Sequence, residues 1–419
     1  MSEAADSIRD QWDRAPLFAL LTANAISELG NILALTTIPW FVLQTTGSAA
    51  RTGIATFFTT LPFVLAGIFG GPLVDLFGFK LVSIAADVAS GVTIALIPLL
   101  YETIGIAFWQ LAILLFLSTS LDTPGGTARF GLLPDLVNAA DVSVERANAA
   151  YQGPRRLALF LAPVLAGILI ATLGASLVLL LDAATYAVSA LLISFLVPSM
   201  ATKTAGSVSN GGYFAQLGAG FRVLREDRPL QVLVTATAII NGILNALVIV
   251  VIPVYADVAF RTAVALGVLI TSYGAGTLIG VFGFGWIGGR VSRRITLIAA
   301  FVLGGVSFVS VALIHSLFAT MGALFVIGIS AGFVAPLNAL MVQERTPAAT
   351  RGRIFGLLTA VTTGATPIGL IAVGFLLEKL SLPAVLLVLA SMYLLARGML
   401  LFGTASLSVG GREHERLNQ

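Results

Sequence analysis

The chain has 419 residues, of which 58% are apolar and only 10% charged, and its mean hydropathy of +0.99 excludes an ordinary soluble domain. A formal net charge of +3 excludes a polybasic nucleic-acid binder. The absence of cysteine removes disulfides, thiolate metal sites and thiol nucleophiles together, and His315 and His414 lack the neighbours a zinc site needs.

Twelve apolar stretches recur along the chain, each of roughly 20 residues and long enough to cross a hydrocarbon layer of about 30 Å as a helix. They lack the alternating polarity of barrel strands. The polar stretch 1–14 precedes them, so no cleavable signal peptide is expected. The first six spans are predicted near 16–43, 52–76, 81–101, 106–133, 155–174 and 177–197. The longest polar interruption, 198–228, separates an amino-terminal bundle (1–197) from a carboxyl-terminal bundle with a short tail (229–419). This bridge opens with a Ser-, Thr- and Gly-rich linker. Phe214, Leu217, Phe221 and Leu224 then repeat at helical spacing beside Arg222, Arg225 and Arg228. That pattern predicts either a short helix lying on the inner leaflet or an early start of the seventh span. The last six spans are predicted near 229–255, 263–288, 294–314, 317–342, 353–378 and 382–404.

Orientation follows from the basic residues. If both termini lie inside, 18 of the 23 Lys and Arg residues fall in inner segments, Arg155 among them. Outer loops carry Arg51, Arg261 and Lys379, while Arg129 and Arg397 lie within spans. This asymmetry predicts a multi-pass inner-membrane protein with cytoplasmic termini. Pro39, Pro62, Pro163, Pro253 and Pro367 inside spans permit bending, and small residues such as Gly276 and Gly280 permit close helix approach.

The two halves align at an offset of 214 residues: Asn31 falls on Asn245, Ile38-Pro39 on Ile252-Pro253, Gly53 on Gly267 and Gly71 on Gly285. A duplicated set of membrane helices is the plan of a transporter built from two similar bundles around a central path.

Between the second and third spans the chain reads Gly71-Pro72-Leu73-Val74-Asp75-Leu76-Phe77-Gly78-Phe79-Lys80. This resembles the loop motif of the major facilitator superfamily, although Leu76 and Phe79 stand where that motif has arginines. The equivalent turn after Gly285 keeps the bases Arg290, Arg293 and Arg294 and lacks the acid. Asp75 can accept hydrogen bonds from a helix N-terminus while the bases hold inner helix ends together. Ordinary positive-inside loop chemistry explains the bases equally simply. Leu121-Asp122-Thr123-Pro124-Gly125-Gly126-Thr127-Ala128-Arg129, Leu132-Leu133-Pro134-Asp135 and Leu181-Asp182-Ala183 are similar to the branch of enterobactin and macrolide exporters. Ala162-Pro163-Val164-Leu165-Ala166-Gly167 resembles the antiporter motif, with alanines at several of its glycine positions.

Ionisable groups inside a bilayer are costly and usually face a path or a partner. Glu28 lies about twelve residues into the first span, roughly 18 Å along it. Asn31 sits on the same face, where related exporters often have an aspartate. Glu28 is therefore the proton-coupling candidate, with a buried, permanently neutral Glu as the alternative. Asp122 and Arg129 share a face of the fourth span; Asp122 is a substrate-path candidate, while Arg129 joins Gly71, Asp75, Gly78, Lys80, Asp87, Arg290, Arg293 and Arg294 as inner-gate candidates. Arg129 is expected to pair with Asp75 or Asp87, either as a gate or as a purely structural ion pair. Arg397 is expected to snorkel. Asn31, Asp122, Asn241, Asn245, Thr59, Ser272 and Tyr273 are the substrate-path candidates, bordering a largely apolar cavity suited to amphipathic solutes.

The expected fold is an all-α membrane protein of twelve transmembrane helices in two pseudo-symmetric six-helix bundles. The resemblance implies a monomeric secondary transporter, without cofactors, that exports hydrophobic or amphipathic small molecules by alternating access and uses protons as coupling ion. An uncoupled facilitator, a siderophore or lipid carrier, and a non-transporting sensor of the same fold are the alternatives. No G-x-x-x-x-G-K loop is present to suggest ATP as the energy source, and no His-, Cys- or Ser-centred catalytic set can be assembled.

Overall fold

Within lipid every backbone N–H and C=O must be satisfied internally, so apolar stretches of this length fold as helices. The computed structural model describes residues 2–199, 224–225, 227–288, 290–346 and 351–405, and its regular structure is entirely helical. Six helices precede the bridge: α1 (Ser2–Thr46), α2 (Ala49–Phe77), α3 (Phe79–Thr103), α4 (Phe108–Ala139), α5 (Val144–Leu173) and α6 (Ala175–Leu196). Six follow it: α7 (Arg228–Phe260), α8 (Ala263–Ile287), α9 (Arg293–Leu313), α10 (Leu317–Arg345), α11 (Arg351–Lys379) and α12 (Leu382–Ala405). Around Pro253, α7 widens into i→i+5 turns at Leu247–Val251 and Ala256–Phe260.

Ten of these helices are long and apolar enough to span a membrane among the described residues. Of the other two, α4 is diluted by its polar stretch from Asp122 to Arg129, and the side chains 66–76 of α2 are not described. Two junctions are a single residue long. Gly78 (φ +78°) separates α2 from α3, and Gly174 (φ +84°) separates α5 from α6. Both adopt a left-handed backbone that a Cβ disfavours.

The break expected across 134–154 is much shorter. α4 continues to Ala139 and α5 begins at Val144, because the charged residues there ride on exposed faces of helices that outrun the apolar stretch. Arg155 consequently lies three turns inside α5 and not in an inner loop. The proposed interfacial helix around Phe214–Leu224 falls almost wholly outside the described residues.

By their contacts the helices form two compact units, one of residues 1–46 and 55–206, the other of 47–54 and 207–419. In the first, Leu17, Leu20 and Ala23 of α1 pack on Leu132 and Leu136 of α4 and Ile193 of α6. Nearer the other end, Phe41 and Val42 meet Ile97, Leu111 and Leu179. In the second, α8 and α10 touch through glycines spaced four apart on both helices. A Cβ at Gly276, Gly280, Gly328 or Gly332 would collide with a backbone carbonyl of the facing helix. Large apolar side chains such as Phe195, Phe282 and Trp286 point outward, as a lipid-facing surface requires.

Candidate functional site

Polar side chains inside the first unit are joined into a ring that passes through four helices. Tyr186 (α6) donates its hydroxyl hydrogen to Asn31 Oδ1 (α1). Asn31 Nδ2 donates to Asp122 Oδ2 (α4) at 3.4 Å. The other Asp122 oxygen lies 3.6 Å from the Arg129 guanidinium, about two turns further along the same face of α4. Arg129 in turn binds Asp87 (α3), and Ser189 Oγ donates to the second Asp87 oxygen at 2.6 Å, returning to α6. Arg129 and Asp87 are almost entirely withdrawn from solvent. Each carries a desolvation cost that only the partner and further hydrogen bonds offset.

A cavity of about 580 Å³ opens beside this ring. Glu28, Asn31, Thr59, Asp122, Arg129 and Tyr151 line it, together with Arg155, Asp182 and Tyr186. Glu28 is mostly buried and bonded to Arg155 Nη1 at 3.2 Å, whereas Arg155 is more than half exposed. Asp182 is 1% exposed, and neither of its carboxyl oxygens accepts a hydrogen bond among the described residues. Its neighbour Thr185 spends its single hydroxyl proton on the Asp182 main-chain carbonyl. Phe63 and Phe130, with Ile32, Leu35, Ile38 and Ile94, supply the apolar part of the wall.

The second unit has its own cavity, of about 410 Å³, bordered by Asn241, Asn245, Tyr273 and Asn338. Asn31 and Asn245, equivalent in the internal repeat, thus face a cavity in each unit. Asn241 and Asn245 donate their amides to carbonyls one turn back on α7, leaving their oxygens for the cavity. Ser272 turns its hydroxyl to the Val268 carbonyl and is not part of the lining.

Of the two partners expected for Arg129, the ion pair forms with Asp87. Asp75 and Gly71 lie among residues whose side chains are not described. Lys80 Nζ donates to the Ser194 carbonyl at 3.0 Å, tying the start of α3, just past Gly78, to the end of α6. Arg293 meets Glu344 at 2.7 Å across α9 and α10, with both side chains exposed, and Arg290 and Arg294 are exposed as well. Arg397 corrects a sequence expectation: it does not snorkel but is 2% exposed, and its guanidinium sits 5.1 Å from the Tyr393 ring centre. Asp182 enters the sequence reading only through the resemblance of Leu181-Asp182-Ala183, with no role attached, and only the fold brings it to Gly30 and into the cavity wall.

The Major Facilitator Superfamily model matches residues 20–261 and again residues 235–416. The chain is 30% identical to the multidrug efflux pump Tap of Mycobacterium tuberculosis over 381 residues, 90% of this chain and 91% of that protein. It is 22% identical to macrolide efflux protein A of Streptococcus pyogenes over 375 residues, 86% of this chain and 89% of that protein. Among solved structures, the nucleoside transporter NupG superposes with a TM-score of 0.77 at 12% identity, covering 92% of this chain and 98% of that one. A bacterial homologue of the iron transporter ferroportin, in an inward-facing state, gives 0.73 at 17% identity, covering 93% and 98%. With twelve helices among the described residues, an internal repeat and a family match over both halves, the chain belongs to the major facilitator superfamily.

Proposed function

We propose that this protein exports hydrophobic or amphipathic small molecules across the inner membrane in exchange for protons, by alternating access. One observation carries the reading. Three carboxyls (Glu28, Asp122 and Asp182) and two guanidinium groups (Arg129 and Arg155) line the first-unit cavity, and a fourth carboxyl, Asp87, is bound to Arg129, so four acids are set against two bases when all are ionised. An excess of two negative charges inside a bilayer is costly, and protons or a cationic solute offset it. A group that binds either of two competing cations is what exchange transport requires. Glu28 and Asp182 are the proton carriers in this reading. Asp122, Asn31 and Thr59 contact solute in the first-unit cavity, and Asn241, Asn245 and Tyr273 serve the second unit. The efflux activities named for Tap and macrolide efflux protein A support a drug-like solute. The excess of Lys and Arg in inner segments supports cytoplasmic termini, and the chain is taken to act as a monomer.

The Glu28–Arg155 pair favours a second reading, an uncoupled carrier in which Glu28 is structural. Efflux of a macrolide from cells lacking their own pumps, with and without an uncoupler, separates the two. Proton exchange requires that the uncoupler abolish efflux and that Glu28→Gln or Asp182→Asn lower it about tenfold or more. Efflux that survives both the uncoupler and the substitutions identifies the uncoupled carrier.

A further inference from the structure

Two arginines buried among the described residues stand in opposite circumstances. Arg129 has Asp87 and Asp122 as counter-ions. Arg397, equally buried on α12, meets no carboxylate and donates no hydrogen bond among the described residues, and its Nε is enclosed without an acceptor. The Tyr393 ring faces the cation at 5.1 Å, but that hydroxyl donates to the Ala300 carbonyl, so the residue offers a π face only. A cation–π contact recovers less than an enclosed guanidinium forfeits in leaving water. Arg397 also lines the second-unit cavity, whose other polar walls are Asn241, Asn245, Tyr273, Thr277 and Asn338. Asn338 spends its amide on Thr237 Oγ1 at 3.1 Å, and its own oxygen is buried without a donor. The wall therefore holds a permanent positive charge in fork geometry, surrounded by neutral groups. That is the arrangement that receives a planar anion.

We propose that this cavity is a carboxylate-binding site, with Arg397 as its anion-holding group, and that the solutes it takes are amphiphiles bearing one carboxylate. The site narrows the solute class given under the proposed function and rests on that reading only for the carboxylate belonging to an exported solute. Charge compensation at Arg397, and not shape, favours carboxylate bearers over neutral amphiphiles at this cavity, while a cationic solute such as a macrolide engages the first-unit carboxyls and not this site.

The test is equilibrium binding to the purified full-length protein in phosphatidylcholine nanodiscs, with dansylglycine and its neutral analogue dansylglycinamide as fluorescent probes. The carboxylate is expected to bind at least about tenfold more tightly than the amide. Arg397→Gln is expected to bring the two within about twofold of each other while leaving the amide's affinity unchanged, and Arg397→Lys to keep an intermediate preference. If Arg397→Gln does not fold, a reduced preference in Arg397→Lys with unchanged amide affinity supports the site equally. Equal affinity of the two probes in the unaltered protein overturns the proposal, as does a preference that survives both substitutions. Displacement of dansylglycine by chloride as effectively as by acetate assigns the charge to an inorganic ion. Loss of binding on adding phosphatidylglycerol assigns it to a lipid headgroup. Either result overturns the solute assignment. Binding is read without a proton gradient, so its failure and a failure of proton-linked efflux are separate results.

Discussion

Asn31 of α1 bridges Tyr186 of α6 and Asp122 of α4, accepting from the first through its oxygen and donating to the second through its amide at 3.4 Å. One side chain thereby couples three helices at the cavity wall. Asn31→Ala leaves both partners without this bond and is expected to cost about 1–3 kcal/mol. Tyr186→Phe is expected to cost less, and the double variant less than the sum of the two, because both act on one bond. Thermal unfolding in detergent of the two singles and the double checks this; strict additivity contradicts the shared bond.

The Arg129–Asp87 pair is enclosed on every side, and Ser189 completes the Asp87 shell at 2.6 Å. Removing Arg129 strands Asp87, and removing Asp87 leaves Arg129 with Asp122 alone at 3.6 Å. Arg129→Ala and Asp87→Ala are each expected to destabilise the first unit by about 3–5 kcal/mol, and the combined variant by less than either alone. Expression level and unfolding temperature report the effect. Equal losses summed in the double variant would show that the two groups act separately.

Gly30 faces Asp182 and Thr185 so closely that an added Cβ collides with Thr185 Oγ1 and comes within 2.5 Å of Asp182 Oδ1. Gly30→Ala is expected to cost about 1–3 kcal/mol through overpacking and to displace the Asp182 carboxyl. Thr185→Ala removes the nearer atom and is expected to rescue stability in the double variant without restoring transport fully, since Asp182 remains crowded. Rescue of neither property would show that the close approach is not what limits Gly30.

In the second unit, Gly276 and Gly280 on α8 interlock with Gly328 and Gly332 on α10. Apolar packing in lipid gains nothing from water exclusion, so helix association there rests on this proximity. Gly280→Leu is expected to drive the helices apart, with a loss of stability of about 3 kcal/mol or more, while Gly285→Leu, which has open space, is expected to cost under about 0.5 kcal/mol. Unfolding curves of the two variants under matched detergent conditions check the contrast.

The number, type and repeat of helices were legible because lipid imposes length and polarity on each span separately. The cavity charges were legible as costly anomalies: Glu28, Asp122 and Arg129 all reach the first-unit cavity. What joins them was not, since the ring contacts link residues 91, 42, 102 and 155 positions apart, and no local period encodes them. Arg155 reads in the sequence as the inner edge of the fifth span, because charge near a span edge looks the same whether the helix stops or continues. Arg397 was misread for a related reason. A lone arginine toward a helix end has an aqueous escape available in principle, and only packing by Tyr393 and its neighbours shows that it does not take it.

Proton exchange is tested most directly in reconstituted vesicles loaded with a pH-sensitive dye. Imposing an outwardly directed macrolide gradient, with no other energy source, is expected to move protons in the opposite direction, and Glu28→Gln or Asp182→Asn to reduce that flux about tenfold or more. Solute movement with no accompanying proton flux, at a rate the two substitutions leave unchanged, would contradict the exchange mechanism.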